Sequence, residues 1–266
     1  MAERSYQVVG ELSIKGVTKR FRREGEEDVI ALNGVNLNIK AGSFVSLIGP
    51  SGCGKSTLLR LIAGLSDADE GELQLDGKKI VGTSYERGLV FQNPTLFPWL
   101  NIQDNVAFGL KVRHIHRQNK SLVKEYIKLV GLEGFEKSYP HQLSGGMCQR
   151  ASLARSLVGK PKVLLLDEPL GALDAFTRMN MQDELLRIWK EENMTMIMVT
   201  HDVDEAIYLS DKVIVMSPRP AKIEQVIDIE MGRPRARSNP DFLQYRSKIL
   251  KILNFGGNVE DISYYI

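Results

Sequence analysis

The spacing of apolar and polar positions changes character repeatedly along the chain. In the opening third, short runs rich in β-branched and aliphatic residues, bounded by glycine or charge, predict strands at 11–17, 31–39, 43–48, 71–75 and 88–91. A helix interrupts them near Lys55. Between 105 and 159 apolar residues recur three and four apart, above all in 121–130 (SLVKEYIKLV) and 144–158, so a helical block is expected between the β elements. Strands at 163–166, 195–199 and 213–216 then alternate with helices at 175–190 and 203–209. Runs that are apolar throughout, such as VLLL and MIMV, suit strands covered on both faces and therefore a parallel sheet. After Ile229 the segment MGRPRARSNP reads as a link and 241–253, with Phe242, Ile249, Ile252 and Leu253, as an amphipathic helix. The basic link is expected to be a solvated surface crossing, with a phosphate or lipid contact as the alternative. No period of 20 to 50 residues recurs, which excludes a solenoid.

Composition narrows the class. The 266 residues are 43% hydrophobic and 26% charged, an ordinary globular balance large enough for a sizeable core. Lys and Arg number 35 against 33 Asp and Glu, so the net charge of +2 gives no nucleic-acid footprint. The longest apolar runs fall far short of the roughly 20 residues that span a bilayer. Residues 1–11 mix charge with single apolar residues and show no h-region, so no secretory signal is expected in them. Cys53 and Cys148 stand far apart, which suits a reducing compartment.

Three short segments carry chemistry. Gly49-Pro50-Ser51-Gly52-Cys53-Gly54-Lys55-Ser56 matches G-x-x-x-x-G-K-S/T, follows the strand FVSLI and opens the helix beginning Ser56-Thr57. Its glycines let backbone N–H groups curl inward, and the helix N-terminus adds partial positive charge, making a triphosphate cradle. Lys55 is expected to reach the β and γ phosphates and Ser56 to ligate Mg²⁺. At the end of VLLL, Asp167 is expected to hold the Mg²⁺ shell through water, and Glu168 to orient or deprotonate the attacking water. The segment Ser144-Gly145-Gly146-Met147 opens another helix, with Ser144 as cap and two glycines permitting close approach. One nucleotide does not need two such helix ends, so the second is expected to close over a nucleotide held by another copy.

With GPSGCGKST, LSGG, VLLLDEP, GALD and Thr200-His201-Asp202 in that order, residues 10–230 resemble the nucleotide-binding subunits of ATP-binding cassette (ABC) transporters. The resemblance implies an α/β fold: a P-loop NTPase core with an N-terminal antiparallel β-subdomain and an inserted α-helical subdomain. It divides the chain into a nucleotide-binding domain at 1–236, with helical residues 93–159 inserted, and a helical tail at 237–266. It implies a head-to-tail dimer sandwiching two ATP molecules. By position, Gln92 would contact Mg²⁺ or the lytic water, and His201 the γ-phosphate. Asp174 would lie at the dimer seam and Phe21 would stack on adenine. Phe97, Trp99 and Leu100 are expected to form a groove for a permease helix. Cys53 of one copy and Cys148 of the other would occupy opposite walls of one ATP site, most simply as small fillers. Cys148 stands where the family more often has a basic or polar residue, and the tip from Arg23 to Asp28 is unusually acidic.

The stretches SPRPAKI, GRPRARSNPDFLQYRSKIL and FQNPTLFPWLNIQDNVAFGL resemble the branch that imports nitrate, sulfonates, taurine and related small anions. The implied function is ATP hydrolysis energising such import, peripheral on the cytoplasmic membrane face, through permease subunits and indirectly a substrate-binding protein. The alternative is a soluble cassette ATPase acting without a permease in repair, translation or cofactor assembly.

Overall fold

The computed structural model describes residues 9–22, 28–171 and 173–253; most of the acidic tip and the part of the expected tail after Leu253 lie outside them. Strands β1 (Leu12–Phe21) and β2 (Val29–Ile39) form an antiparallel pair. β3 (Phe44–Ile48) belongs to a second sheet and leads to helix α1 (Lys55–Ala63). β4 (Glu70–Leu75) and β5 (Lys78–Lys79) return to the first sheet, whose order is β2-β1-β4-β5. β6 (Arg87–Val90) re-enters the second sheet ahead of α2 (Ile102–Val112), α3 (Lys120–Leu129) and α4 (Gly145–Leu157). Next come β7 (Val163–Asp167), α5 (Ala175–Glu192), β8 (Thr195–Val199) and α6 (Val203–Leu209). β9 (Lys212–Met216), β10 (Ile223–Asp228) and α7 (Pro240–Ile252) complete the described chain.

The second sheet runs β10-β9-β3-β8-β7-β6 and is parallel except for β10. Its central strands are apolar throughout because both faces are covered. Along β7, Leu164 and Leu166 face a cluster with Val106, Tyr126 and Leu157 of the helical block. Val163 and Leu165 face the other way, toward Leu58 and Ile62 of α1 and Leu12 and Ile39 of the small sheet. Each such leucine, fully buried, contributes roughly 1.5–3 kcal/mol over exposure. A third cluster joins Ile48, Val213 and Val215 to Ala206 and Ile207 of α6 and Phe242 and Ile249 of α7.

The structure departs from the expectations in three places. β1 continues past Val17 to Phe21, because register shifts around Gly16, at φ +60°, reset an alternation that had seemed to end. β10 was not expected as a strand. Its Glu224, Gln225 and Val226 are exposed, as befits an edge strand whose polar residues mask the β pattern.

The third correction concerns the basic link, which is not a solvated crossing. Arg235 is 5% exposed and donates to the carbonyls of Ile207, Ser210, Ile229 and Met231. Arg233 donates to Asp211 Oδ1 and the Leu209 carbonyl, both at 2.7 Å, and stacks on Trp189. Helix α6 is only seven residues long and leaves its last carbonyls without intrahelical partners. Two guanidinium groups satisfy those carbonyls at the negative end of the helix dipole. Arg235→Ala would strand buried carbonyls, and is expected to lower stability by about 3 kcal/mol. Arg117→Ala, at an exposed residue, should stay within about 0.5 kcal/mol. Urea unfolding midpoints of the two variants check this.

Candidate functional site

Because β3, β6, β7 and β8 run parallel, their carboxyl ends reach the same edge of the sheet, where open α/β sheets bind ligands. β3 delivers the loop 49–54, β6 leads to Gln92, β7 ends in Asp167 and Glu168, and β8 leads to Thr200 and His201. A cavity of about 580 Å³ opens there. Loop and helix residues 49, 51, 52 and 54–57 line it, with Gln92, Glu168 and His201. Phe21, at the end of β1 in the other sheet, lines it too and is half-exposed.

The loop is wound around Lys55. This side chain is only 6% exposed, and its Nζ donates to the carbonyls of Gly49 at 2.8 Å and Pro50 at 2.9 Å. A buried ammonium needs such partners, and they set the curl of the backbone. Gly54 precedes α1 with φ +125°, and an added Cβ would stand 3.0 Å from the Ala31 carbonyl and from Leu32. No side chain caps α1, so its first N–H groups remain free for an anion. Pro50 and Cys53 do not line the cavity; Cys53 is buried, its Sγ 3.9 Å from Lys55 Nζ.

The acidic groups are held with equal definition. Ser56 Oγ donates to Asp167 Oδ1 at 2.8 Å. Burial, aided by the neighbouring Glu168 charge, pushes the Asp167 carboxyl up against the opposing Ser56 bond. Glu168 has φ +45°, a left-handed conformation costing a non-glycine residue roughly 1–3 kcal/mol, and its N–H donates to the Val199 carbonyl at 3.0 Å. Its Oε2 accepts from Gln92 Nε2 at 3.1 Å and lies 3.3 Å from His201 Nδ1. Two residues, from the ends of β6 and β8, thus converge on one carboxylate oxygen at the end of β7.

Comparison with known proteins agrees with this geometry. The profile of the ABC transporter family matches residues 32–171. Aliphatic sulfonates import ATP-binding protein SsuB of Bacillus cereus is 47% identical over 249 residues, 94% of this chain and 98% of that protein. The chain belongs to the ABC transporter family. An uncharacterized ABC transporter ATP-binding protein of Methanocaldococcus jannaschii is 49% identical over 91% of either chain. Bicarbonate transport ATP-binding protein CmpC of Synechococcus elongatus is 44% identical over 91% of this chain but 38% of its own length. Among solved structures, a dimeric post-hydrolysis ATP-binding cassette bound to ADP and phosphate superposes at TM-score 0.75 and 34% identity, covering 83% of this chain and 100% of that one. The expected ABC cassette fold is therefore the observed one.

In this ABC transporter chain the remaining expected residues lie away from the cavity. Ser144 Oγ caps α4 by accepting the Met147 N–H at 3.3 Å, with Ser144 and Gly145 exposed and Gly146 half-buried. Asp174 caps α5, accepting the Thr177 N–H at 3.0 Å, and its bonds to Thr177 hold its carboxyl below the usual range. None of Ser144, Gly145, Gly146, Met147 or Asp174 lines the cavity. The Cys148 thiol, pushed up by burial, donates to the Pro140 carbonyl at 3.4 Å.

Sequence reading missed two features. Arg219 lines the cavity. A buried polar chain also runs behind His201: Thr200 Oγ1 donates to Glu205 Oε2, Gln182 Nε2 donates to Glu205 Oε1 at 3.2 Å, and Arg237 Nη2 donates to Gln182 Oε1. These residues come from unrelated stretches of sequence, and no short motif joins them. Burial pushes the Glu205 carboxyl up, against the Thr200 and Gln182 bonds. Its folded value exceeds its unfolded one, so its contribution to stability is full below the ordinary carboxylate range and is lost as pH rises through the folded value. Glu205→Gln is therefore expected to gain on the parent protein as pH rises above the ordinary carboxylate range. Urea midpoints measured over that rise test it, and a pH-independent difference would refute it.

Proposed function

We propose that this chain is the ATP-hydrolysing subunit of a small-anion importer, working as a pair of copies on the cytoplasmic face beneath a membrane permease. The observation that carries the reading is Glu168, held by Gln92 and His201 beside an anion-binding loop. ATP phosphates at the loop would take up the free N–H groups of α1, and Lys55 would trade loop carbonyls for phosphate oxygens. Ser56 and Asp167 pair a hydroxyl with a carboxylate, hard oxygen donors that fit Mg²⁺, which characteristically takes one or two carboxylates plus phosphate and water. When bound, that ion neutralises charge on the β and γ phosphates. Glu168 accepts a hydrogen bond from the attacking water and aligns it, while Gln92 and His201 fix the carboxylate.

The second copy completes the site. Gly145 and Gly146 start α4 on a surface away from the cavity of their own chain, which supports a second molecule bringing its own Ser144–Met147 segment over the phosphates, with Asp174 at the seam and Phe21 beneath the adenine. Residues 1–236 form the nucleotide-binding unit, 93–159 its helical insert and 237–266 the tail.

The permease contact is read from the segment after Gln92. Trp99 is 71% exposed, while Phe97 packs 4.5 Å from Phe108 and lies under Arg155. Asn105, fully buried, fastens this loop through bonds with Phe97, Leu100 and Asn101. A cavity of about 630 Å³ beside it includes Phe108, Val112 and Tyr85, which suits a short permease helix. Among the described residues no helix is long and apolar enough to cross a membrane. The import and transport names of the relatives, one for aliphatic sulfonates and one for bicarbonate, support a small-anion cargo over a permease-free ATPase; nitrate or taurine as cargo and a binding protein upstream extend that reading.

Glu168→Gln is expected to bind ATP yet lose about 10²–10⁴ in phosphate release and accumulate as an ATP-bound dimer on gel filtration. Turnover near the parent rate would remove Glu168 from this role. Trp99→Glu should leave ATP binding intact and abolish co-purification of an integral membrane permease with this chain from detergent-solubilised membranes; undiminished co-purification would move the docking surface elsewhere.

A further inference from the structure

Five parallel strands end at the cavity edge, and the fifth, β9, delivers a side chain so far without a role. The turn after β9 is pinned at both ends. Ser217 N–H donates to the Lys222 carbonyl, and Ala221 exchanges backbone bonds with Ala31 and Asn33 of β2 at 3.1 and 3.0 Å. Ala221 is fully buried. Prolines 218 and 220 flank Arg219 and restrict its backbone further. The turn therefore presents Arg219 to the cavity from between β2 and the phosphate loop. Its guanidinium packs directly on that loop: a Cβ added to Gly52, where φ is +70°, would meet Arg219 Nη2 at 2.8 Å. Among the described residues Arg219 makes no hydrogen bond or ion pair, unlike Arg233 and Arg235, whose Nη1 and Nη2 groups all donate.

We propose that Arg219 is a phosphate-binding residue of this cavity, its planar guanidinium taking oxygens of the bound ATP alongside the loop N–H groups and Lys55. The proposal rests on the ATP reading above. A guanidinium carries charge at every physiological pH and offers a fork of donors matched to phosphate, whereas lysine supplies only a point charge. Gly52 accordingly has two duties, the turn of the loop and room for this group.

Calorimetric titration of the parent chain, Arg219→Gln and Arg219→Lys with MgATP and with inorganic tripolyphosphate tests the assignment. Arg219→Gln is expected to weaken both ligands about tenfold, as loss of a partly exposed charged hydrogen bond does, and Arg219→Lys to recover only part. Thermal melting of the unliganded variants should match the parent, since Arg219 is exposed and unbonded. Unchanged ATP affinity in Arg219→Gln would overturn the proposal, as would weakened ATP with unchanged tripolyphosphate, which moves the contact to sugar or base. If the parent chain binds neither ligand, the ATP reading itself falls and this assignment falls with it; if it binds both and the variant binds as well, only the assignment falls.

Discussion

The site depends on one geometric constraint, the parallel alignment of β3, β6, β7, β8 and β9. Parallel ladders require both faces to be buried, and here the helical block covers one face while α1 and the small sheet cover most of the other. The price of that burial is that polar groups can gather only where strands end. The carboxyl edge consequently receives the phosphate loop, Gln92, Asp167, Glu168, His201 and Arg219, each within a few residues of a strand terminus. No loop has to travel far to bring them together. Their separation across the edge follows from strand order, with β3 and its loop between β9 and β8 and the carboxylates one strand further on.

Within that edge, opposite electrostatic needs are kept apart by different kinds of burial. Lys55 is buried against backbone carbonyls, partners that hold a cation without neutralising it, so its charge remains available to an anion. Asp167 has a hydroxyl partner. Glu168 has a strained backbone and two side chains at one oxygen. Strain of this sort persists only where surroundings over-determine it, and the Glu168 N–H bond to Val199 ties it to the neighbouring strand.

Much of this was legible in sequence because it is local. The phosphate loop needs closely spaced glycines followed by a helix, and the carboxylate pair follows an apolar run, so both declare themselves within ten residues. The strand ends at Ile48, Asp167 and Val199 were readable for the same reason. β10 was not, because an edge strand exposes residues such as Glu224 and Gln225 and loses the pattern that betrays a buried one. Arg235 misled differently. Its surroundings in sequence, GRPRARS, look solvated, and only the fold reveals the unpaired carbonyls of α6 that draw it inward. Arg219 and the Glu205 chain were hidden because their meaning lies in what a distant strand or helix places beside them.

The ends of α6 connect these observations. Its first turn is fixed by Asp202, which accepts the Glu205 N–H at 3.0 Å, and by the Thr200 bond to Glu205; its last carbonyls are fixed by Arg233 and Arg235. A seven-residue helix has too few internal hydrogen bonds to hold itself, so its position is set from outside at both termini. His201 stands one residue before its cap and inherits that definition, although its own side chain is largely exposed. Gln92 meets the same carboxylate oxygen from a segment running on to Trp99 that is fastened from the helical block, by Gln149 at the Phe91 carbonyl, Arg155 at Thr95 and Asn105 at Phe97. The carboxylate is therefore held on one side by a residue set by α6 and, on the other, by one carried on the loop that bears Phe97 and Trp99.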